Sequence, residues 1–185
     1  MKISILISSY NKDNYLERCI LSCLNQKYKD YEVILIDNES TDKTESILEK
    51  YREHIIIRSE PKISKYSPVN QMDVINKALI ISSGEIICFL DADDYFENNK
   101  LEEVNKLFLD NFEVSVIFDK PKILNNDIFS RFKMKKKFNK HIWPTTHPTS
   151  SISIKKTFLQ KIFENKKIQK YPLLEIDFII TSLSK

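Results

Sequence analysis

Three carboxylates, Asp91, Asp93 and Asp94, follow directly on the apolar run Ile86-Ile87-Cys88-Phe89-Leu90. Like charges at this spacing oppose one another's ionisation and raise one another's pKa. A fold tolerates such a cluster best when a cation compensates it. A small set of carboxylate oxygens suits Mg2+ or Mn2+, which keep several waters and take up substrate phosphate oxygens. A divalent ion here would bridge a diphosphate and stabilise charge on a leaving phosphate group. An isolated D-x-D is more often a helix cap with solvated neighbours. The position directly after a buried strand favours the metal–phosphate chemistry for this one.

The elements that must position the cluster alternate. Ile3, Ile5, Leu6 and Ile7 predict a first strand, and Tyr31 to Ile36 a second. Ile55 to Ile57, Ile86 to Leu90 and Val114 to Phe118 predict a third, fourth and fifth. Between them lie helical patterns. Leu16, Cys19, Ile20, Cys23 and Leu24 share one face of a helix starting near Asn14. Asp42 with Glu45 is a capping-box start for a helix carrying Ile47, Leu48 and Tyr51. Met72, Ile75, Ala78 and Leu79 mark a third helix, and Leu101, Val104, Leu107 and Phe108 a fourth. Continuous apolar strands separated by helices predict an α/β fold with a mostly parallel, helix-covered central sheet. In such sheets ligands sit beyond the carboxyl ends of the strands. The residues found there are Ser8-Ser9-Tyr10-Asn11, Asp37-Asn38-Glu39-Ser40, Ser59-Glu60 and the acidic cluster.

The alternation stops after Asp119. A basic stretch with Phe129, Phe132 and Phe138 follows, then Trp143 to Thr149, a strand-like Ser151 to Ile154 and a short helix near Phe158 to Phe163. Ile176, Ile179, Ile180 and Leu183 close the chain at helical spacing. The expected organisation is one domain over 1–185. Residues 1–119 form its larger half, and 120–185 a smaller subdomain.

Bulk properties fit one soluble globular domain: 185 residues, 42% hydrophobic and 30% charged. A net charge of +3 permits an anionic substrate and does not call for nucleic acid. Cys19, Cys23 and Cys88 form no disulfide framework, which points to a reducing compartment. Cys19 and Cys23 read as core packing. Met1 to Ile7 is too short for a signal-peptide core, and no run approaches the ~18 apolar residues of a membrane span. A cytoplasmic protein is expected. With one Gly in the chain, tight turns fall to Asn, Asp, Ser, Lys and Pro.

Three segments together resemble the family 2 glycosyltransferases of the GT-A, Rossmann-like fold. They are I-S-I-L-I-S-S-Y-N-K, L-N-Q-K-Y-K-D-Y-E-V-I-L-I-D-N-E-S-T-D-K-T and S-S-G-E-I-I-C-F-L-D-A-D-D. Their order and spacing match the family from about Lys2 to Leu101, with weaker similarity to Leu183. The resemblance implies metal-dependent, inverting transfer from a nucleotide-diphosphate sugar, a UDP-sugar above all, to a bacterial cell-surface glycan or lipid-linked acceptor. It implies that Ser8 and Tyr10 contact base or ribose, and that Asp37 and Asn38 stand at the base. Asp91 and Ala92 would line the donor site, and Asp91 with Asp93 would hold Mn2+ or Mg2+. Asn38 stands where the family usually has an acid; its amide can still donate to and accept from a uracil edge. Glu39 replaces a usual Gly. Asp42 reads as a helix cap. The family often places a basic residue near the diphosphate, on or before the third helix; Lys62, Lys65 and Lys77 lie there, and none is a clear match.

For the acceptor half, the family draws its general base from an acidic pair opening a late helix. Asp177 matches the second acid of that pair; Glu175 is displaced by one residue from the first. Both also suit the positive end of a helix dipole. His147, in H-P-T, is an acceptor-side or metal-side candidate. Trp143 would stack on a sugar face or belong to the core. Arg131 to Lys140 is a solvated loop or a contact for anionic headgroups at the inner face of the membrane. The rival to an active transferase is a catalytically silent nucleotide- or glycan-binding module or partner subunit. A nucleotidyltransferase ranks last, because no Gly-rich loop opens the chain.

Overall fold

The computed structural model describes residues 1–122, 148–165 and 174–183. Its strands are β1 (Ile3–Ser9), β2 (Tyr31–Asp37), β3 (Ile56–Ser59), β4 (Ile86–Asp91), β5 (Val116–Phe118) and β6 (Ile152–Lys155). Its helices are α1 (Asp13–Leu24), α2 (Thr44–Leu48), α3 (Ser67–Ile81) and α4 (Lys100–Asp110). Two more follow, α5 (Lys156–Glu164) and α6 (Ile176–Leu183).

The six strands form one sheet in the order β3-β2-β1-β4-β6-β5. The pairs β1–β2, β1–β4 and β2–β3 are parallel. The expected α/β architecture is therefore present. Beyond β4 the order departs from simple succession. β6 inserts antiparallel between β4 and β5. Its Ile152 and Ile154 are fully buried, and its Ser153 hydroxyl meets the Cys88 thiol at 3.3 Å. The interior position goes to the more buried strand, although Ser153 and Lys155 make it the less apolar of the two. Val116–Phe118, only half-buried, takes the edge.

Two cores cover the two faces of the sheet. On one, Ile3, Ile5, Ile7, Val33 and Leu35 pack against α1 and α4 through residues such as Leu16, Ile20, Leu101 and Phe108. Cys19 and Cys23 lie in this core as free thiols, as expected. On the other, Leu6, Ile34, Ile36 and Phe89 meet Val74, Ile75, Leu79, Leu159, Ile176 and Ile180 from α3, α5 and α6. Burial on both faces explains why Ile5 to Ile7, Val33 to Ile36 and Ile86 to Leu90 read as unbroken apolar runs.

The lone glycine serves proximity and not a turn. Gly84 donates its N–H to Ser4 Oγ at 2.9 Å, just before β4. A Cβ there would stand 2.6 Å from Ser4 N and 2.8 Å from Ile3 C. Left-handed backbone occurs instead at Asn11 (φ 51°) and Glu39 (φ 56°). Asn tolerates that region well; Glu does so at some cost.

Gln26 joins the elements behind the acidic loop. Fully buried, it donates through Nε2 to the carbonyls of Ser22 (2.9 Å) and Glu97 (2.8 Å). Its Oε1 accepts from Leu101 N at 3.1 Å. The segment leading into α4 is thus fastened to α1.

Candidate active site

β1 is the strand at which the chain changes direction across the sheet, with β2 on one side and β4 on the other. A crevice is expected at the carboxyl end of such a switch point. The register sets Ser8 beside Asp91 and Ser9 beside Asp37. The four sequence-predicted positions Ser8, Tyr10, Asp37 and Asp91 therefore meet at one end of three adjacent strands.

On the β1–β2 side the loops interlock. Asp37 is buried and accepts from Ser40, by Oδ2 from the amide (3.0 Å) and by Oδ1 from the hydroxyl (2.5 Å). Ser40 Oγ in turn accepts from Asn11 N at 2.8 Å, and Asn11 Oδ1 accepts from Thr41 N at 2.8 Å. Asn38 is buried; its Nδ2 donates to the Glu60 carbonyl at 2.9 Å. That contact leaves its Oδ1 as the acceptor end. Glu39 Oε2 accepts from Lys62 N at 3.0 Å, and the Lys62 ammonium lies 3.4 Å over the centroid of the exposed Tyr10 ring. Asn70 Oδ1, one turn into α3, accepts from the amides of Ile63 (3.1 Å) and Ser64 (2.9 Å) and so anchors the same connection.

Asp42 is a cap of a different kind from the box expected. Its Oδ1 accepts from Thr44 N and its Oδ2 from Asp13 N, each at 3.0 Å, so one carboxylate serves the starts of α2 and α1 together. Glu45 takes no part; it pairs with Arg52 on the surface.

On the β4 side the acidic loop is held by backbone contacts. Asp91 N donates to Ser150 Oγ at 3.0 Å, and Cys19 Sγ reaches Asp91 O at 3.8 Å. Arg18 donates to Asp93 O at 3.2 Å while its guanidinium stacks 4.6 Å from the centroid of Tyr95. Ala92 is buried. Of the carboxylates, Asp91 accepts from Gln71 Nε2 at 3.4 Å, and Asp93 Oδ2 lies 2.5 Å from Lys12 Nζ.

This arrangement accumulates negative charge. Burial, then the charges of Asp94, Asp93 and Asp177, push the Asp91 carboxyl up to about 7, with Lys12 acting the other way. Asp177, in the first turn of α6, therefore acts on Asp91 from an element distant in sequence. Its Oδ1 accepts from Phe178 N at 2.7 Å. Glu175 precedes the helix, is exposed, and contributes its carbonyl to Ile179 N. Among the described residues no group of three or more His, Cys, Asp or Glu side chains is already arranged around a metal position.

Of the three lysines near α3, Lys77 is engaged by Glu60 and Asp73 at 2.8 Å each, and Lys65 lies over Tyr66. Lys12, Arg18, Gln71 and Ser150 were not singled out in the sequence. Lys12 alone had a local signal, as the cation directly following Tyr10-Asn11. His147, Trp143 and Arg131 to Lys140 lie outside the described residues.

The fold defines an α/β protein of the GT-A architecture. The family described as "Glycosyl transferase family 2" matches residues 4–169, and the chain belongs to it. An uncharacterized glycosyltransferase of Nostoc sp. is 33% identical over 129 residues, which cover 69% of this chain and 39% of that protein. The poly(ribitol-phosphate) beta-N-acetylglucosaminyltransferase TarS of Staphylococcus aureus is 30% identical over 128 residues, covering 68% of this chain and 22% of that one. The chain thus spans well under two thirds of these relatives. Residues 1–349 of S. aureus TarS, solved with UDP, superpose with a TM-score of 0.69 at 21% identity, covering 100% of this chain and 55% of that one. A Pyrobaculum calidifontis mannosyltransferase, solved with GDP-Man and Mn2+, gives a TM-score of 0.65 at 20% identity over 87% of this chain and 46% of that one. Among the described residues no helix is long and apolar enough to cross a membrane.

Proposed function

We propose that this chain is the donor-binding and catalytic domain of an inverting glycosyltransferase. It moves a sugar from a nucleotide-diphosphate sugar, a UDP-sugar above all, to a hydroxyl of a cell-surface glycan or lipid-linked acceptor. Residues 1–119 serve the donor, and 120–185 the acceptor. The observation that carries the reading is the gathering of Asp91, Asp93, Asp94 and Asp177 at the switch-point end of the sheet, where burial first and then the neighbouring charges raise the Asp91 carboxyl to about 7.

The donor set fits a divalent cation: oxygen ligands only, an excess of negative charge, and a carboxylate that burial and its neighbours keep from ionising freely. Asp91 and Asp93 would hold Mn2+ or Mg2+. When bound, the ion supplies charge stabilisation to the departing diphosphate. The protein's own groups do the rest. Tyr10 offers its ring and Asn38 its Oδ1 to the nucleotide. Asp177 removes the proton of the acceptor hydroxyl as that oxygen bonds to the anomeric carbon. The bond from that carbon to the diphosphate oxygen breaks on the opposite face, and the nucleoside diphosphate leaves. Asp177 is favoured over Glu175 because its charge is among those that raise Asp91, whereas Glu175 stands exposed ahead of the helix.

Donor hydrolysis and transfer, measured with Mn2+ across several nucleotide sugars, test this reading. Asp177→Asn is expected to lower transfer by about 100-fold or more, within the usual range for a general base, while nucleotide binding persists. Wild-type transfer in that variant removes Asp177 from the role. If the wild type binds metal and nucleotide without hydrolysis or transfer on any donor, the silent binding module takes precedence.

A further inference from the structure

The acidic loop is held in two separate ways. Arg18, Cys19 and Ser150 grip backbone atoms of Asp91 and Asp93. Lys12 grips a carboxylate and nothing else in the loop; its Nζ lies 2.5 Å from Asp93 Oδ2. Both side chains of this pair reach water, with 38% and 43% of their surface exposed. Lys12 can therefore leave without disturbing the backbone of the loop. It approaches from the end of the β1–α1 connection, directly before α1.

We propose that Lys12 is the resident counter-cation of Asp93, and that a divalent ion binding at the acidic loop displaces it. This rests on the metal reading above and adds a residue to it. An ammonium is a single charge with no fixed geometry. A divalent ion brings two charges and coordinates directly, so the exchange runs toward the metal. The pair is half exposed, so its cost to the metal is modest, about two- to fivefold in affinity. Lys12 thereby keeps Asp93 compensated between donor-binding events.

The test is Mn2+ binding without nucleotide, followed by loss of the free-ion electron paramagnetic resonance signal, for the wild type, Lys12→Met and Arg18→Met. Melting in chelator verifies that each variant is folded. Lys12→Met is expected to bind Mn2+ about two- to fivefold tighter. Arg18→Met, which removes a cation from the loop carbonyl and not from the carboxylate, is expected to show no tightening. In chelator Lys12→Met should melt below wild type; at saturating Mn2+ that gap should close, because the wild-type pair is already broken. No tightening in Lys12→Met overturns the inference and leaves the metal reading standing. Equal tightening in both variants also overturns it, since Lys12 would then act only through the general field. A wild type that takes up no Mn2+, even with UDP present, removes the metal reading and this inference together.

Discussion

The side-chain nitrogen of Asn38 donates to the main-chain oxygen of Glu60 at 2.9 Å, and that contact decides which end of the amide is free. The remaining oxygen is an acceptor. It complements a base whose ring nitrogen carries a hydrogen, as in uracil or guanine, and mismatches the bare ring nitrogen of cytosine. UDP is therefore expected to raise the melting temperature in Mn2+ more than CDP does. Asn38→Ala should weaken UDP by about tenfold, the loss of one buried hydrogen bond. Equal shifts for UDP and CDP would remove Asn38 from base selection.

Glu39 holds a left-handed backbone that glycine adopts freely. Glu39→Gly should leave stability unchanged or raise it by up to about 1 kcal/mol by releasing that strain. It also removes the carboxylate that receives Lys62 N. Hydrogen exchange at the Lys62 amide is expected to accelerate while global unfolding in urea shifts little or upward. A clear loss of global stability would show that the carboxylate contact outweighs the strain.

Gly84 answers to sterics alone. Gly84→Ala would press a methyl into Ser4 N and Ile3 C, both backbone atoms that cannot swing away. Overpacking of that kind costs about 1–3 kcal/mol. Denaturant titration should show the loss at unchanged slope. A loss well below about 1 kcal/mol would contradict the close packing.

Glu32 carries a pH signature. Burial alone would push its carboxyl up, but hydrogen bonds from Ser4 and from Ser83 amide and hydroxyl, with the charge of Lys2, outweigh it and hold the carboxyl below the ordinary glutamate range. The unfolded chain therefore binds the proton first as pH falls. The stabilisation is fully present above the unfolded pKa and disappears as pH drops through the lower folded value. Glu32→Gln should cost about 1–2 kcal/mol near neutrality. That difference should shrink below about pH 4, where the wild-type carboxylate protonates too. A difference that stays constant on acidification would show that the charge of Glu32 adds nothing.

The parts of the fold visible in the sequence were those set by local periodicity. The apolar runs at Ile3–Ile7, Tyr31–Ile36 and Ile86–Leu90 marked the strands, and Leu16, Cys19, Ile20 and Cys23 marked one helix face. The acidic cluster could be placed at a strand's carboxyl end because chain order is enough for that. The insertion of β6 between β4 and β5 could not be seen, since strand neighbours depend on contacts across long separations. Lys12 and Asp93 are 81 positions apart, and nothing in either segment names the other. The left-handed backbone at Glu39 is signalled only through the resemblance, in which a Gly usually stands there. Glutamate itself gives no turn signal.

β1 has a folding history written into its neighbours. Its first edge is satisfied by β2, close behind it in the chain, where Ile3 meets Tyr31. Its second edge waits for Ile86. While the chain is being synthesised, a central strand with fully buried Ile3 and Ile5 stands open until β4 emerges and Gly84 settles against Ser4. Open apolar edges invite pairing with other chains. The carboxyl-end gathering of Ser8, Asp37 and Asp91 thus forms only as that open edge is sealed, in the same event.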